Sequence, residues 1–469
     1  IESWPTRVAA HALPMLREAA TSALRKLGPK QDGCNMGLLR HNPQMPVPSS
    51  CTERERERLS RLREQDAVAR GESKPAHGES KPEHGADSDK NATNKTMGHP
   101  FETVTEADRN RHLTRNGPFW DRLHLNHSTS SSSVFMALAS FRDRECPRTL
   151  ESAFKNAANA SRVFIGIVQQ TASGDQFAVP FDFDCLDMYC NKVGESNCRR
   201  SQVRVSRQRA EDSEGVCVTR YDSQQLLEDE TFFLQVDSHS LFAQNWDSLL
   251  IDNWKLAGNP RGILTAYPMA DDRMEKPWLD GISHYKMMPR ICRLFLNGGS
   301  LANKGAGDEN PWVGRPELTG FWAAGLSFGL GESERAVPYD KYMPYVFMGE
   351  EPARALRLYS HGFDFYIPSV NVVFHYYRRE GAPRLESMHH AWQPQVQRRR
   401  AAAERRVWEI FSLPQKDSGE IELSGLAPGE AFAIGNERTR QQYLDRSGFV
   451  IHTPAGSNAS KSQWIGTQC

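Results

Sequence analysis

Three consecutive residues, Asp237-Ser238-His239, stand where the strand-like run Leu234-Gln235-Val236 gives out. On an extended chain, side chains two positions apart point to the same face. The carboxylate and the imidazole can therefore reach one divalent cation, with the carboxylate also poised beside a bound diphosphate. The alternative is an aspartate that caps the following turn through its own side chain.

Two further constellations carry chemistry. In Phe321-Trp322-Ala323-Ala324-Gly325, small side chains leave room for a sugar ring and the aromatic offers it a flat apolar wall; close packing of helix on strand is the alternative. Gly349-Glu350-Glu351 opens an expected helix, EEPARALRLYSHG, that Gly362 stops. Carboxylates in a first helical turn are also ordinary partners of the helix dipole.

The elements that must position these residues read as an α/β pattern. VFMALAS (134–140) and RVFIGIVQQ (162–170) suit buried parallel strands, and PRTLESAFKNAA (147–158) between them has helical spacing with proline at its start. Strand, helix and strand in so short a span form a βαβ unit. FFLQVDSHS (232–240) and RGILTAYP (261–268) add strands around a helical stretch, WDSLLIDNWKLA (246–257). Ligands of open α/β sheets collect at the C-terminal ends of strands, where Asp237 falls. The basic run Arg398 to Arg406, with Val407, Ile410 and Phe411, is expected to be a helix with a solvated face.

Composition bounds the class. The chain has 469 residues and 53.0 kDa, with 58 basic and 58 acidic residues. A net charge of zero argues against a globally basic nucleic-acid binder. No run of about 18 apolar residues exists to span a bilayer. The nine cysteines are an odd number and form no CxxC pair, so neither a zinc module nor a full disulfide framework is signalled. Residues 53–66 alternate in charge without sustained apolar heptads, and 71–85 repeat GESKPAH as GESKPEH. Such sequence buries too little apolar surface to offset ordering entropy. The expected organisation is a disordered leader or stem over 1–130, a catalytic domain over 131–395 and a helical or irregular extension over 396–469. The serine run 128–133 is expected to be a flexible linker.

From Val134 onward the chain resembles the GT-A glycosyltransferases, specifically the polypeptide α-N-acetylglucosaminyltransferases. The resemblance is carried by VFMALASFRDRECPRTL (134–150), YDSQQLLEDETFFLQVDSHSLFAQNWD (221–247), the stretch 321–379 that includes GEE and VVFHYYRR, and IGNERTRQQYLDRSGF (434–449). They occur in the family's order over residues 134–450. More distantly the chain is similar to the mucin-type polypeptide GalNAc-transferases. The fold so implied is Rossmann-like α/β, a single GT-A catalytic domain.

Roles follow from the resemblance residue by residue. Asp237 and His239 match the element that holds manganese against a sugar-nucleotide diphosphate, and His375 matches the third ligand. Two imidazoles and a carboxylate suit Mn²⁺ with positions left for phosphate oxygens. Arg378 matches a basic residue that pairs with the diphosphate. Ser140, Arg142 and Asp143 end the strand where this fold binds uridine. Arg220, Trp322 and Gly325 complete the implied donor site, and Glu350 or Glu351 would meet hydroxyls of the sugar or the acceptor. The chain departs from its relatives at Gly215-Val216-Cys217-Val218-Thr219-Arg220, where they tend to show Gly-Pro-Cys-x-Ala-Arg. It also carries a polar insertion over 171–200 with Cys185, Cys190 and Cys198.

The implied reaction moves N-acetylglucosamine, with retention, from UDP-GlcNAc to a serine, threonine or hydroxyproline hydroxyl of a protein; no general base is assigned. Another UDP-sugar such as UDP-GalNAc, or a non-catalytic binding module on the same scaffold, are the alternatives. The intact DSH, GEE and VVFH elements argue against the last. Sequons at Asn91, Asn94, Asn126, Asn159 and Asn458 are compatible with a Golgi-lumenal protein whose anchor is missing from a chain that starts at Ile1, and a cytoplasmic branch of the family is the other expectation.

Overall fold

A computed structural model of the protein describes residues 125–172, 182–274, 287–297, 300–311, 315–415, 417–452 and 463–467. All of them fall within one compact unit, Thr96–Cys469; the other unit, Ile1–Lys95, lies outside the described residues. The expected leader over 1–130, with its repeat at 71–85, is therefore outside them except for 125–130.

The chain order begins with β1 (Val134–Phe141), α1 (Cys146–Asn156), β2 (Val163–Thr171), α2 (Cys185–Val193), β3 (Val203–Arg209) and α3 (Val216–Gln224). It continues through β4 (Phe232–Val236), β5 (Ser240–Phe242), α4 (Trp246–Leu256), β6 (Gly262–Thr265), β7 (Met269–Ala270), β8 (Met287–Asn297), β9 (Ser300–Pro311), β10 (Glu317–Thr319) and β11 (Leu326–Leu330). The last elements are α5 (Gly331–Ala336), α6 (Glu350–Ser360), β12 (Asp364–Ile367), β13 (Val373–His375), α7 (Pro394–Ile410), α8 (Arg440–Ser447), β14 (Phe449–His452) and β15 (Gln463–Thr467).

The protein is a mixed α/β structure built on an eight-stranded sheet of order β10-β12-β6-β11-β4-β1-β2-β3. β1 runs parallel to both β2 and β4, so the first crossovers are βαβ units. β11 is antiparallel to β4 and β6 and interrupts the parallel order. Every residue of β4 and β11 is buried, which explains why both lack an alternating polar face. One apolar cluster gathers Val134, Ile165, Phe232 and Leu234 with Leu150 of α1 and Trp246 and Trp254 of α4. A second joins Trp322, Tyr339 and Leu356 of α6 to Val407 and Trp408 of α7 and Tyr443 of α8. A separate sheet of order β14-β15-β8-β9 lies apart in the sequence.

A third sheet decides the site. In the order β5-β13-β7, His375 sits opposite Ser240 on one side and Ala270 on the other. The strand expected over 232–240 is thus two strands, β4 and β5, with Asp237, Ser238 and His239 in the turn between them. That break is what lets a distant histidine pair beside the turn.

One other expectation differs from the structure, and two are filled in. The serine run is not a free linker: Thr129 donates to Asp252 at 2.6 Å, and Ser132 N–H closes a turn on Ser128 O. Two disulfides form, Cys146–Cys185 and Cys190–Cys198, and Cys217 is a free buried thiol among the described residues. α7 forms with a solvated face that carries Arg398, Arg399 and Glu409, and its opposite face is buried. Arg406 is buried and its guanidinium meets both oxygens of Asp340 at 2.8 and 3.1 Å, a forked pairing that compensates for its lost hydration.

Candidate metal and nucleotide-sugar site

Ligand atoms of Asp237, His239 and His375 all lie within 4.8 Å of one another. Asp237 is the first residue past β4, His239 ends the turn, and His375 ends β13. The turn is held from α1: Thr149 donates its hydroxyl to Ser238 O at 2.8 Å and accepts from Ser240 N–H at 2.9 Å. Backbone pairing adds Tyr376 N–H to His239 O at 3.0 Å. The three ligands thus rest on two sheets and a helix, not on a free loop.

Each imidazole is set by a carboxylate. His239 Nδ1 lies 2.6 Å from Asp143 Oδ2, and Ser238 Oγ donates to the same oxygen at 2.7 Å. With Nδ1–H given to Asp143, the lone pair of His239 resides on Nε2, the tautomer that binds a metal. Burial alone would raise the Asp143 carboxyl, but His239, Arg379 and Ser238 together hold it at about 2. His375 Nε2 lies 3.1 Å from Asp237 Oδ2, and its Nδ1 is buried with no hydrogen-bond partner among the described residues. Against the effect of burial, His375, Arg220 and His239 keep Asp237 well below the usual carboxylate range. Asp237 is therefore an anion, the form a cation requires.

The donor set fits a divalent ion. Oxygen and imidazole nitrogen ligands suit a borderline cation. The 3.1 Å between Asp237 Oδ2 and His375 Nε2 is close to the spacing of adjacent ligands at ~2.1 Å on an octahedral ion. The outer carboxylate of Asp143 supplies the support such sites carry.

Behind Asp237 lies a buried polar network. Arg220 of α3, 6% exposed, donates to Asp237 Oδ1 at 2.8 Å and also to Glu350 Oε1. Tyr339 donates to Glu350 Oε1 at 2.8 Å, and Gln235 of β4 donates to Tyr339 Oη and to Ala324 O. Ala324 N–H in turn donates to Glu351 Oε1 at 2.9 Å. A continuous chain of hydrogen bonds therefore links Asp237 to both glutamates of α6. Glu351 also accepts from Tyr267. Burial, with Glu350 adding to it, pushes the Glu351 carboxyl up to about 7 against the pull of Ala324 N–H, Tyr267 and Arg220.

Other sequence-predicted residues fall around this centre. Ser140 is buried at the end of β1, and Arg142 follows with a left-handed φ of 47°. Strain of this kind in a non-glycine residue collects at binding sites. Its guanidinium is held by Asp182 at 2.8 Å, and its Nη1 approaches Met388 Sδ. The disulfide Cys146–Cys185 ties the helix after this loop to the helix after Asp182. Gly325 sits against the metal carboxylate: a Cβ there would come within 2.9 Å of Pro268 and 4.0 Å of Asp237 Oδ2, so only glycine fits.

Trp322 is placed differently from expectation, and Arg378 lies at the surface. Trp322 is fully buried, with its Nε1–H on Ser327 Oγ at 3.0 Å and the Arg354 guanidinium over its ring. It is a core residue and presents no wall to a sugar. Arg378 has a side chain 67% exposed and stands 4.0 Å from Asp271 and Asp272. Besides Arg220, Arg379 also stands near the centre, 3.7 Å from Asp143 Oδ2. A tight turn past β13, closed by Arg379 N–H on Tyr377 O at 3.0 Å, sets its direction, while 375 and 377 keep the alternation of an extended chain. The same parity accounts for Tyr377, whose ring centroid is 4.1 Å from that of His375. Tyr267, Gln235 and Tyr339 were also missed, because isolated tyrosines and a strand glutamine carry no local motif.

The class defined here is a mixed α/β protein with a carboxylate-and-histidine centre at the end of a central strand. The family match gives the particular assignment. The model of the Glycosyltransferase (GlcNAc) family matches residues 133–187 and 181–451, and the chain belongs to that family. No curated protein matches the chain. Among solved structures, GalNAc-T7, crystallised with UDP, GalNAc and Mn²⁺, is 14% identical with a TM-score of 0.43, over 67% of this chain and 56% of its own. The chain thus spans little more than half of that protein's length. The mannosyltransferase PcManGT from Pyrobaculum calidifontis, in complex with GDP-Man and Mn²⁺, is 10% identical with a TM-score of 0.33, over 66% of this chain and 70% of its own.

Proposed function

We propose that this glycosyltransferase moves N-acetylglucosamine from UDP-GlcNAc to a hydroxyl of a protein, with retention, using Mn²⁺ or another divalent cation. The observation that carries the reading is the convergence of Asp237, His239 and His375 on one point at the end of β4. The family's description favours GlcNAc as the transferred sugar.

Asp237, His239 and His375 would hold the ion. Bound there, it would neutralise the diphosphate that leaves with the nucleotide. Arg220 keeps Asp237 ionised and turns its Oδ2 toward His375. Asp143 holds His239 in its ligating tautomer, and Arg379 offsets the charge of Asp143. Ser140, Arg142 and Asp143 bound the end of β1 on the uridine side, and Arg142 is locked against Asp182 to keep that loop in shape. Gly325 keeps the approach to Asp237 open. Glu350 is already engaged by Arg220 and Tyr339, and this reading assigns no covalent glycosyl intermediate. The leaving phosphate oxygen takes the acceptor proton. The two disulfides favour an oxidising compartment for this chemistry.

The test is release of UDP from a panel of UDP-sugars with and without Mn²⁺, and mass spectrometry of an acceptor protein. Mn²⁺-dependent turnover of UDP-GlcNAc, lost in Asp237→Ala, supports the reading. Preference for UDP-GalNAc would move the donor while leaving the class. Absence of any Mn²⁺-dependent UDP binding by calorimetry would leave a non-catalytic module.

A further inference from the structure

The two adjacent glutamates of α6 have different surroundings. Glu350 is 3% exposed, and one oxygen takes both Arg220 and Tyr339. It is committed to the interior. Glu351 is half-buried, and its two oxygens face different donors: Ala324 N–H on Oε1 and the Tyr267 hydroxyl on Oε2. A carboxylate oxygen accepts at two lone pairs. Each oxygen of Glu351 therefore keeps one position for a ligand.

The placement of Tyr267 shows where that ligand would lie. It is the second residue past β6, at a strand's C-terminal end, and it too is half-buried. The next residue, Pro268, packs against Gly325 beside Asp237, and its carbonyl accepts from Tyr377 at 2.8 Å. Tyr377 in turn lies on the His375 ring. The Tyr267–Pro268 pair thus joins Glu351 to the metal-binding histidine and carboxylate within a few bonds.

We propose that Tyr267 is a positioning residue that orients Glu351 to bind a hydroxyl of the substrate, while Glu350 serves only the buried network. This rests on the function proposed above. The ligand chemistry is a hydroxyl, from the transferred sugar or from the acceptor. A carboxyl that titrates near neutrality can donate as well as accept, which matches a hydroxyl's own two roles. The groups that face it are Tyr267, Glu350, Arg220 and, through Tyr267, Tyr377. Ala324 N–H holds Oε1 and the Tyr267 hydroxyl holds Oε2, so Tyr267 is the side chain that fixes the direction of the carboxylate.

The experiment compares the full chain with Y267F, E351Q and Y267F/E351Q. Donor hydrolysis without acceptor and transfer with saturating donor are each followed across the neutral pH range. Loss of one hydrogen bond of this kind predicts about a tenfold rise in KM for the substrate concerned, with kcat changed much less. The pH inflection of kcat/KM moves upward in Y267F and disappears in E351Q, and the double variant is no worse than E351Q. A rise confined to donor KM assigns the sugar hydroxyl; one confined to acceptor KM assigns the acceptor. Additive losses, or a Y267F profile that superimposes on the parent, overturn the proposal. Isotope-edited infrared titration of the Glu351 carboxyl reads the pair without any turnover. A shift in Y267F supports it, and an unchanged titration overturns it whichever donor is used. If Y267F does not fold, the parent protein decides: titration of Glu351 at an ordinary carboxylate value overturns the proposal. A chain that turns over no UDP-sugar but shows the coupled titration sinks the function and keeps the pair.

Discussion

His239 Nδ1 lies 2.6 Å from the buried carboxylate of Asp143, and this contact leaves the lone pair of Nε2 free for the proposed metal ion. Asp143 lies at the end of β1 and His239 past the end of β4, so the two adjacent parallel strands share the job. Asp143→Asn keeps the shape and weakens the acceptor. Outer partners of ligating histidines typically contribute 10–100-fold to metal affinity, and a loss of that size is expected. Calorimetric titration of Mn²⁺ in the presence of UDP measures it. Unchanged affinity would mean that the pair serves only to hold the turn.

Arg220 bridges Asp237 and Glu350 from a buried position. Arg220→Met leaves two carboxylates without their cation. Removing one partner of a buried pair costs about 3–5 kcal/mol, and urea unfolding should show a loss in that range. Replacing both ends of the inner pair, as Arg220→Met with Glu350→Met, should recover part of the stability, since one of the two stranded carboxylates is gone and Asp237 keeps His375. Metal affinity should stay low in both, because Asp237 has lost the group that orients it. Recovery of Mn²⁺ binding in the double variant would contradict this division of roles.

Trp322 offers a test of burial against binding. Its ring is enclosed by Arg354, Tyr339 and the second apolar cluster. Trp322→Ala should cost about 3–5 kcal/mol, as large aromatic truncations in cores do. The KM for UDP-sugar in the folded fraction should change little. A variant of ordinary stability with a large rise in donor KM would return Trp322 to the sugar's surface.

Much of this was legible in the sequence because it depends on local pattern. Unbroken apolar runs gave β1, β2 and β4, and Gly362, with φ 91°, stops α6 where the pattern placed the stop. The centre was legible only through resemblance, since His375 reaches Asp237 across 138 residues by pairing β13 with β5. No periodicity records that pairing. Arg379 against Arg378 turns on the tight turn after β13, where Arg379 N–H meets Tyr377 O, a local bend that no alternating pattern records. The disulfides were illegible for a different reason: connectivity depends on which helix ends meet, and spacing does not encode it.

Glu351 predicts a pH dependence whose sign is fixed by its surroundings. Its carboxyl is raised from 4.5 to about 7 in the fold, chiefly by burial, so the folded protein binds the proton more tightly than the unfolded chain. The contribution of the protonated form is intact below about pH 4.5, shrinks as pH rises toward 7 and is gone above it. Glu351→Gln keeps a neutral group at every pH and lacks this loss. The melting temperature of the variant relative to the parent should therefore rise across that window and level off above it. Differential scanning calorimetry at a series of pH values measures the difference directly. A difference that stays flat through the window would show that Glu351 is charged in the fold at ordinary pH, and would remove the neutral carboxyl from the site.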